Sequence, residues 1–172
     1  FNLSLVVENH YLNEEYKKAK KILKKFKKED NFYYWYRVKK ETQIIAKLRN
    51  KKESLNYITA EFNKIDEIND KMKFDIANFY KNSKEYEKAI KYYTELINSL
   101  NDSSEMKSDL LYRRGGSYER IKNYKKADED LLNALVISPD DAYILNYLAY
   151  SWLERNYKIN EAIDMLEIAY AS

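Results

Sequence analysis

An all-α protein made of repeated helix pairs is the fold class this 172-residue sequence predicts, on three observations. Only two glycines and one proline occur. A β-sandwich or a doubly wound sheet needs many tight turns and the residues that make them, whereas long helices joined by short polar breaks need few. A Tyr-x-Lys-Ala signature recurs, with its tyrosine at Tyr16, Tyr86 and Tyr124 and its alanine at Ala19, Ala89 and Ala127. Around each copy the apolar residues fall on one face of a 3.6-residue helix. Tyr16, Ala19, Ile22, Leu23 and Phe26 form one such face, and Tyr124, Ala127, Leu131, Leu132, Ala134 and Leu135 another.

The first interval between copies is 70 residues, or two units of 35, and the second is 38. A weaker copy is expected between the first two, and the run from Lys52 fits, with Leu55 in the alanine's place. A fifth copy begins at Asn156 and carries one extra residue before Ala162. Polar breaks separate the two helices of each pair: Leu12-Asn13-Glu14, Arg49-Asn50-Lys51, Asn82-Ser83-Lys84, Lys122-Asn123 and Arg155-Asn156. Between pairs lie Glu29-Asp30-Asn31, Asp66 to Asp70, Asn101 to Ser104 and Ser138-Pro139-Asp140-Asp141. Ser, Asp and Asn there can cap the next helix, and Pro139 suits a boundary. The expectation is five antiparallel helix pairs in one stack, with repeats at about 1–31, 32–68, 69–106, 107–141 and 142–172. One pair cannot bury its apolar face alone, so pairs pile on one another.

Composition narrows the function classes. Hydrophobic residues make 45% of the chain and charged residues 34%, a balance that buries a core rather than leaving the chain disordered. The absence of cysteine removes disulfides, thiolate metal sites and cysteine nucleophiles. No apolar run is long enough to span a bilayer. His10 is the single histidine, and it reads as a packing or surface residue. There is no H-E-x-x-H, no glycine-rich phosphate loop and no G-x-S-x-G, so no enzyme, metal or cofactor is expected. Gly115-Gly116 falls inside a predicted helix and reads as a packing feature. Acidic runs such as Asp128-Glu129-Asp130 and Asp140-Asp141 read as caps or solvated faces. Abundant Lys, Asn, Ile, Tyr and Phe are residues of AT-rich codons, so composition inflates the count of 18 tyrosines.

Charge is uneven. Residues 1–52 hold 15 Lys/Arg against 6 Asp/Glu, and the remainder holds 16 against 22. Lys17, Lys18, Lys20, Lys21, Lys24, Lys25, Lys27 and Lys28 crowd one predicted helix, opposite Ala19, Leu23 and Phe26. Such a face suits an anionic polymer or membrane surface through salt-sensitive attraction. Phe1, Leu3, Leu5 and Val6 begin in mid-helix, and Ile168, Ala169 and Tyr170 end on an apolar one. The chain therefore reads as part of a longer protein with further repeats. Self-association through uncapped ends is an expected consequence, and a targeting segment could lie outside it. The compartment stays open: a soluble protein of cytoplasm or periplasm.

Ser108 to Asp141 resembles a tetratricopeptide repeat, whose pattern is W-x2-L-G-x2-Y, then A-x3-F, A and P over 34 residues. Leu111, Gly115, Tyr118, Ala127, Leu131, Ala134 and Pro139 stand at the pattern's places, and Arg114 departs from its leucine. Asp70 to Ser103 matches at Ala77, Tyr80, Ala89 and Tyr93. From Ala142 onward the matches are Leu148, Ala149, Trp152, Ala162, Leu166 and Ala169. The run Leu145 to Leu166 looks like a segment common in bacterial members, which implies a bacterial source.

The resemblance implies a right-handed superhelix, or α-solenoid, that acts as a protein- or peptide-binding scaffold. In this family the first helices line a concave groove and the second helices the convex outside. Carried over by position, the groove set is Phe74 and Asn78, then Tyr112, Arg113 and Gly116, then Tyr143, Asn146, Tyr147 and Tyr150. Tyrosine offers a rigid contact with a polar tip, asparagine pairs with peptide amides, and Gly116 would leave room for a ligand. Some members clamp a terminal carboxylate with Lys, Asn and Arg. Arg113 fits one clamp place, but Asp75, Asp109, Tyr143 and Tyr147 occupy others, so a chaperone C-terminal tail is not the expected ligand. The alternative reading is binding of an anionic polymer or membrane through the lysine-rich first half. No nucleic-acid partner is expected.

Overall fold

The computed structural model describes residues 2–26, 31–100 and 104–171. These form ten helices and no strand: α1 (Leu3–Leu12), α2 (Tyr16–Leu23), α3 (Asn31–Leu48), α4 (Lys51–Phe62), α5 (Asp70–Asn82), α6 (Tyr86–Asn98), α7 (Glu105–Arg120), α8 (Tyr124–Ile137), α9 (Ala142–Glu154) and α10 (Ile159–Ala171). They divide into two compact units, Phe1–Ile68 and Asn69–Ser172. None of the described helices is long and apolar enough to cross a membrane.

The chain reverses direction within a pair by one device used four times. Glu14, Lys84, Lys122 and Asn156 adopt left-handed φ angles of 60, 63, 62 and 53°. In the fourth pair Lys122 N–H donates to the Glu119 carbonyl and Asn123 N–H to the Tyr118 carbonyl, each at 2.9 Å. These are the two bonds of a Schellman cap, which satisfies carbonyls the helix end would leave unpaired. His10, Tyr80 and Trp152 carbonyls receive the matching bond from Glu15, Glu85 and Tyr157, each at 2.8 Å. The extra residue of the last pair is absorbed by a second left-handed residue, Lys158 at φ 43°. Glycine holds that conformation without the Cβ penalty that lysine bears. Lys122→Gly should therefore stabilise the protein by about 1 kcal/mol, seen as a higher urea midpoint at unchanged m-value.

First helices start on side-chain caps instead. Asn69 Oδ1 accepts from Met72 N–H, Ser104 Oγ from Lys107 N–H, and Asp141 Oδ1 from Tyr143 and Ile144 N–H. These are three of the break segments read as caps. Glu29 and Asp30 lie outside the described residues, as do Asn101 to Ser103.

In the first unit Val7, Ala19, Leu23, Phe26 and Ile44 form the buried cluster of α1, α2 and α3. Two expectations change here. The apolar face of α2 runs on to Phe26, but the helix ends at Leu23. Lys25 and Phe26 N–H donate to the Ile22 and Leu23 carbonyls, three residues back, so the chain tightens into a turn that still buries Phe26 against Tyr36, ring centroids 5.6 Å apart. In α4, Ser54 rather than Leu55 takes the alanine's place. Ser54 is buried, with Ile58 and Phe62 four and eight residues on, as Leu23 follows Ala19 four residues on in α2. A helix crossing needs a small residue, and the small residue here is the serine. Trp35 of α3 packs on Phe62, centroids 5.8 Å apart.

In the second unit Ala77, Ala89, Ala127, Ala149 and Ala162 are fully buried at helix crossings, with Tyr80, Tyr93 and Trp152 filling the space beside them. Ala89 and Ala127 each lie five residues beyond a left-handed turn residue, so they occupy equivalent places in their pairs. Gly115 lets α7 approach α8 still more closely: a Cβ there would lie 3.0 Å from Leu131 Cγ and 3.1 Å from Asp130 Cβ.

The departure at Arg114 has a partner. Its guanidinium grips Asp130 of α8 through Nε and a terminal nitrogen, both at 2.7 Å, and donates to Thr94 Oγ1 of α6 at 3.2 Å. Asp130 is buried, not part of a solvated face. One residue thus ties three helices.

Candidate functional site

The first helices of the second unit, α5, α7 and α9, carry all nine expected groove residues. Tyr143 and Tyr150 are exposed, at 79% and 51%. Phe74, Asn78, Tyr112, Arg113, Gly116, Asn146 and Tyr147 are half-buried. α7 lies between, and its Tyr112 meets Tyr147 of α9 edge to face at 5.8 Å.

Several of these side chains are already engaged. Asn78 Oδ1 accepts from the Tyr93 hydroxyl of α6, and from the Arg113 guanidinium at 3.1 Å. Arg113 also donates to Asp109 at 2.8 Å and covers the Phe74 ring at 5.2 Å. Tyr147 donates to Glu119 at 3.0 Å and approaches the Gly116 carbonyl at 3.3 Å. Burial raises the pKa of Tyr93, Tyr112 and Tyr147, so each stays a neutral hydroxyl across the physiological range. The Tyr147 ring sits beside Gly116, 3.5 Å from where a Cβ would be. Asn146 keeps a buried side-chain oxygen with no hydrogen-bond partner among the described residues.

Beside this cluster is a cleft of about 270 Å³, lined by Lys81, Asn82 and Tyr86 as well as Tyr112, Arg113, Gly116, Arg120 and Tyr147. Lys81, Asn82, Tyr86 and Arg120 were not among the groove residues expected from the sequence. The signal was present for two of them: Phe74, Asn78 and Lys81 follow i, i+4, i+7 along α5, and Arg120 sits four residues after Gly116 on α7.

The lysine set of the first unit is not one helical face. Lys17, Lys18 and Lys21 are exposed on α2, Lys20 is half-buried there, and Lys24 and Lys25 lie exposed in the turn after it. Lys18 pairs with Glu15 at 2.6 Å. Lys27 and Lys28 lie outside the described residues. His10 packs its Nδ1 against Glu15 Oε2 at 2.5 Å, as a structural contact. Among the described residues no group of three His, Asp or Glu side chains is placed to hold a metal ion.

The family profile described as tetratricopeptide repeat matches residues 70–99 and 108–141. Two tetratricopeptide repeats therefore lie in the second unit. The matched residues are those where the pattern was read most strongly, at Asp70 and Ser108. A curated relative, a TPR repeat-containing protein of Methanocaldococcus jannaschii, is 41% identical over 80 residues, which is 46% of this chain and 13% of the relative. This chain thus matches only a small part of that relative's length. The relative is archaeal, and a bacterial source gains no support from it. Among solved structures, MamA residues 41-end from Desulfovibrio magneticus RS-1 superposes with a TM-score of 0.70 at 11% identity, covering 98% of this chain and 92% of that one. BtubC (BKLC) from P. vanneervenii gives a TM-score of 0.73 at 13% identity, covering 98% and 77%. At such identities these likenesses speak for the tetratricopeptide-type helical solenoid fold alone.

Proposed function

We propose that the protein is a non-enzymatic scaffold that docks a polypeptide segment on the first helices of its second unit. The observation that carries this reading is the aromatic wall of α5, α7 and α9. Tyr112 and Tyr147 meet edge to face beside an open cleft, Arg113 of the same α7 covers the Phe74 ring, and Tyr143 stands exposed on α9, while exposed Tyr150 turns its hydroxyl to Tyr170 of α10. Rigid aromatics with polar tips are what partner-binding surfaces concentrate, since they bury much area at little entropic cost. The tetratricopeptide repeats support the class of function, because stacked repeats present extended surfaces for partners.

Immobilised chain should capture a partner that mass spectrometry identifies. Tyr112→Ala and Tyr143→Ala should each weaken that partner at least about tenfold, roughly 1.4 kcal/mol, with melting essentially unchanged for Tyr143→Ala. Full retention by both variants would reject the groove. A second reading, anionic-surface binding, rests on exposed Lys17, Lys18, Lys21, Lys24 and Lys25. It requires heparin retention that survives roughly physiological salt and disappears when those lysines become glutamine.

A further inference from the structure

The cleft beside Tyr112 gathers positive charge in the part of the chain that is acidic overall. Residues 53–172 hold 16 Lys/Arg against 22 Asp/Glu, yet Lys81, Arg113 and Arg120 converge on this one cleft. The nearby carboxylates are committed elsewhere: Asp109 accepts from Arg113 at 2.8 Å and Glu119 from Tyr147 at 3.0 Å. Arg120 lies over the Tyr86 ring at 5.7 Å and pairs with no carboxylate of the described residues. Lys81 is half-buried and makes neither a hydrogen bond nor an ion pair with any described residue. Its own burial first, and then the Arg113 charge, push its pKa down. Asp109 pulls the other way, but it is shared with Arg113, to which it is hydrogen-bonded. A partly desolvated ammonium beside a guanidinium, with a single shared carboxylate near them, is an arrangement that a bound anion relieves.

We propose that this cleft is an anion subsite of the groove, taking a carboxylate or phosphate borne by an acidic polypeptide segment. Lys81 and Arg120 are the donors, and Tyr112 is the wall the segment lies along. The inference rests on the groove reading above and adds the chemistry of the occupant. It is distinct from the terminal-carboxylate clamp, several of whose places here hold Asp75, Asp109, Tyr143 and Tyr147. Arg113 stays with Asp109 and Asn78 and acts on the anion only through its charge.

The test uses a displayed library of short random peptides selected on the intact chain. Selected peptides should be rich in Asp and Glu, and replacing the preferred acidic residue by its amide should weaken binding about tenfold. Lys81→Gln/Arg120→Gln should bind the acidic peptide about tenfold less and no longer distinguish it from the amide, a coupling a double-mutant cycle reads directly. Lys81→Glu/Arg120→Glu should turn the selection toward basic peptides. None of these changes removes an ion pair, so melting stays near that of the parent. A phosphoserine peptide that binds more tightly than the glutamate peptide names phosphate as the anion, and the reverse names carboxylate. Selected peptides without acidic preference, or acidic peptides bound equally by the glutamine variant, overturn the anion subsite. In either case the groove reading stands if Tyr112→Ala and Tyr143→Ala weaken binding about tenfold. Peptides indifferent to those tyrosine variants overturn both.

Discussion

Arg114→Leu is expected to cost roughly 3–5 kcal/mol of stability, although leucine is the residue that the tetratricopeptide pattern has at this place. The reason lies opposite. Asp130 is 4% exposed, and its two carboxylate oxygens are held by Arg114 at 2.7 Å each. Removing the guanidinium leaves a carboxylate out of water with its main counter-charge gone. Burial already holds the Asp130 pKa above its usual value, even against the opposing pull of Arg114. Without Arg114 it rises further. A carboxyl whose folded pKa lies above its unfolded value binds more protons when folded, so stability is present at low pH and falls as pH rises through the folded pKa. The deficit of Arg114→Leu should therefore shrink as pH is lowered from 7 toward the Asp130 pKa. The double variant Arg114→Leu/Asp130→Leu should regain most of the loss, since an apolar pair of suitable volume replaces a buried ion pair at little cost. Urea unfolding of parent, single and double variants at two pH values reads all three outcomes. A single variant as stable as the parent, or a deficit that grows in acid, contradicts the account.

That pair also shows where sequence reading stops. Asp130 sits in an acidic run, and such runs are usually solvated. Only the depth of α8 against α7, set by Gly115, makes this one buried. The repeat itself was legible because Tyr16, Tyr86 and Tyr124 and their alanines recur at helical spacing, and periodicity survives sequence drift. The reversals were legible as Asn- and Lys-rich breaks. Their left-handed geometry was not, because Glu14, Lys84 and Lys122 are not residues that ask for it. In α4 the match of the run from Lys52 put Leu55 in the alanine's place, while the crossing selects for size and takes Ser54. At the candidate site the first-helix positions followed from register. What each side chain does there depended on neighbours in other helices. Tyr93 reaches Asn78 from α6, and Tyr147 covers Gly116 from α9. Such pairings cross helix boundaries and leave no trace in local spacing.

The adjacent glycines of α7 should respond to substitution with opposite signs. Both lie in a helix interior, where alanine is preferred over glycine by about 1 kcal/mol. At Gly116 nothing opposes that preference: a Cβ would meet the Tyr147 ring at 3.5 Å, an ordinary contact. Gly116→Ala should stabilise by about 0.5–1 kcal/mol. At Gly115 a Cβ would lie 3.0 Å from Leu131 Cγ, 3.1 Å from Asp130 Cβ and 3.3 Å from the Ala127 carbonyl oxygen. The oxygen is backbone, Leu131 is fully buried, and Asp130 is fixed by Arg114, so none of the three moves aside cheaply. Overpacking of this kind costs about 1–3 kcal/mol, and a branched side chain adds atoms where even one does not fit. Gly115→Val should therefore lose about 3 kcal/mol or more, with Gly115→Ala between the two. Hydrogen exchange of the α7 and α8 amides locates the effect: faster for Gly115→Val, slower for Gly116→Ala. Equal responses at the two positions would mean that α7 and α8 do not cross at Gly115. The repeat register read from Ala89 and Ala127 would then fail with that crossing.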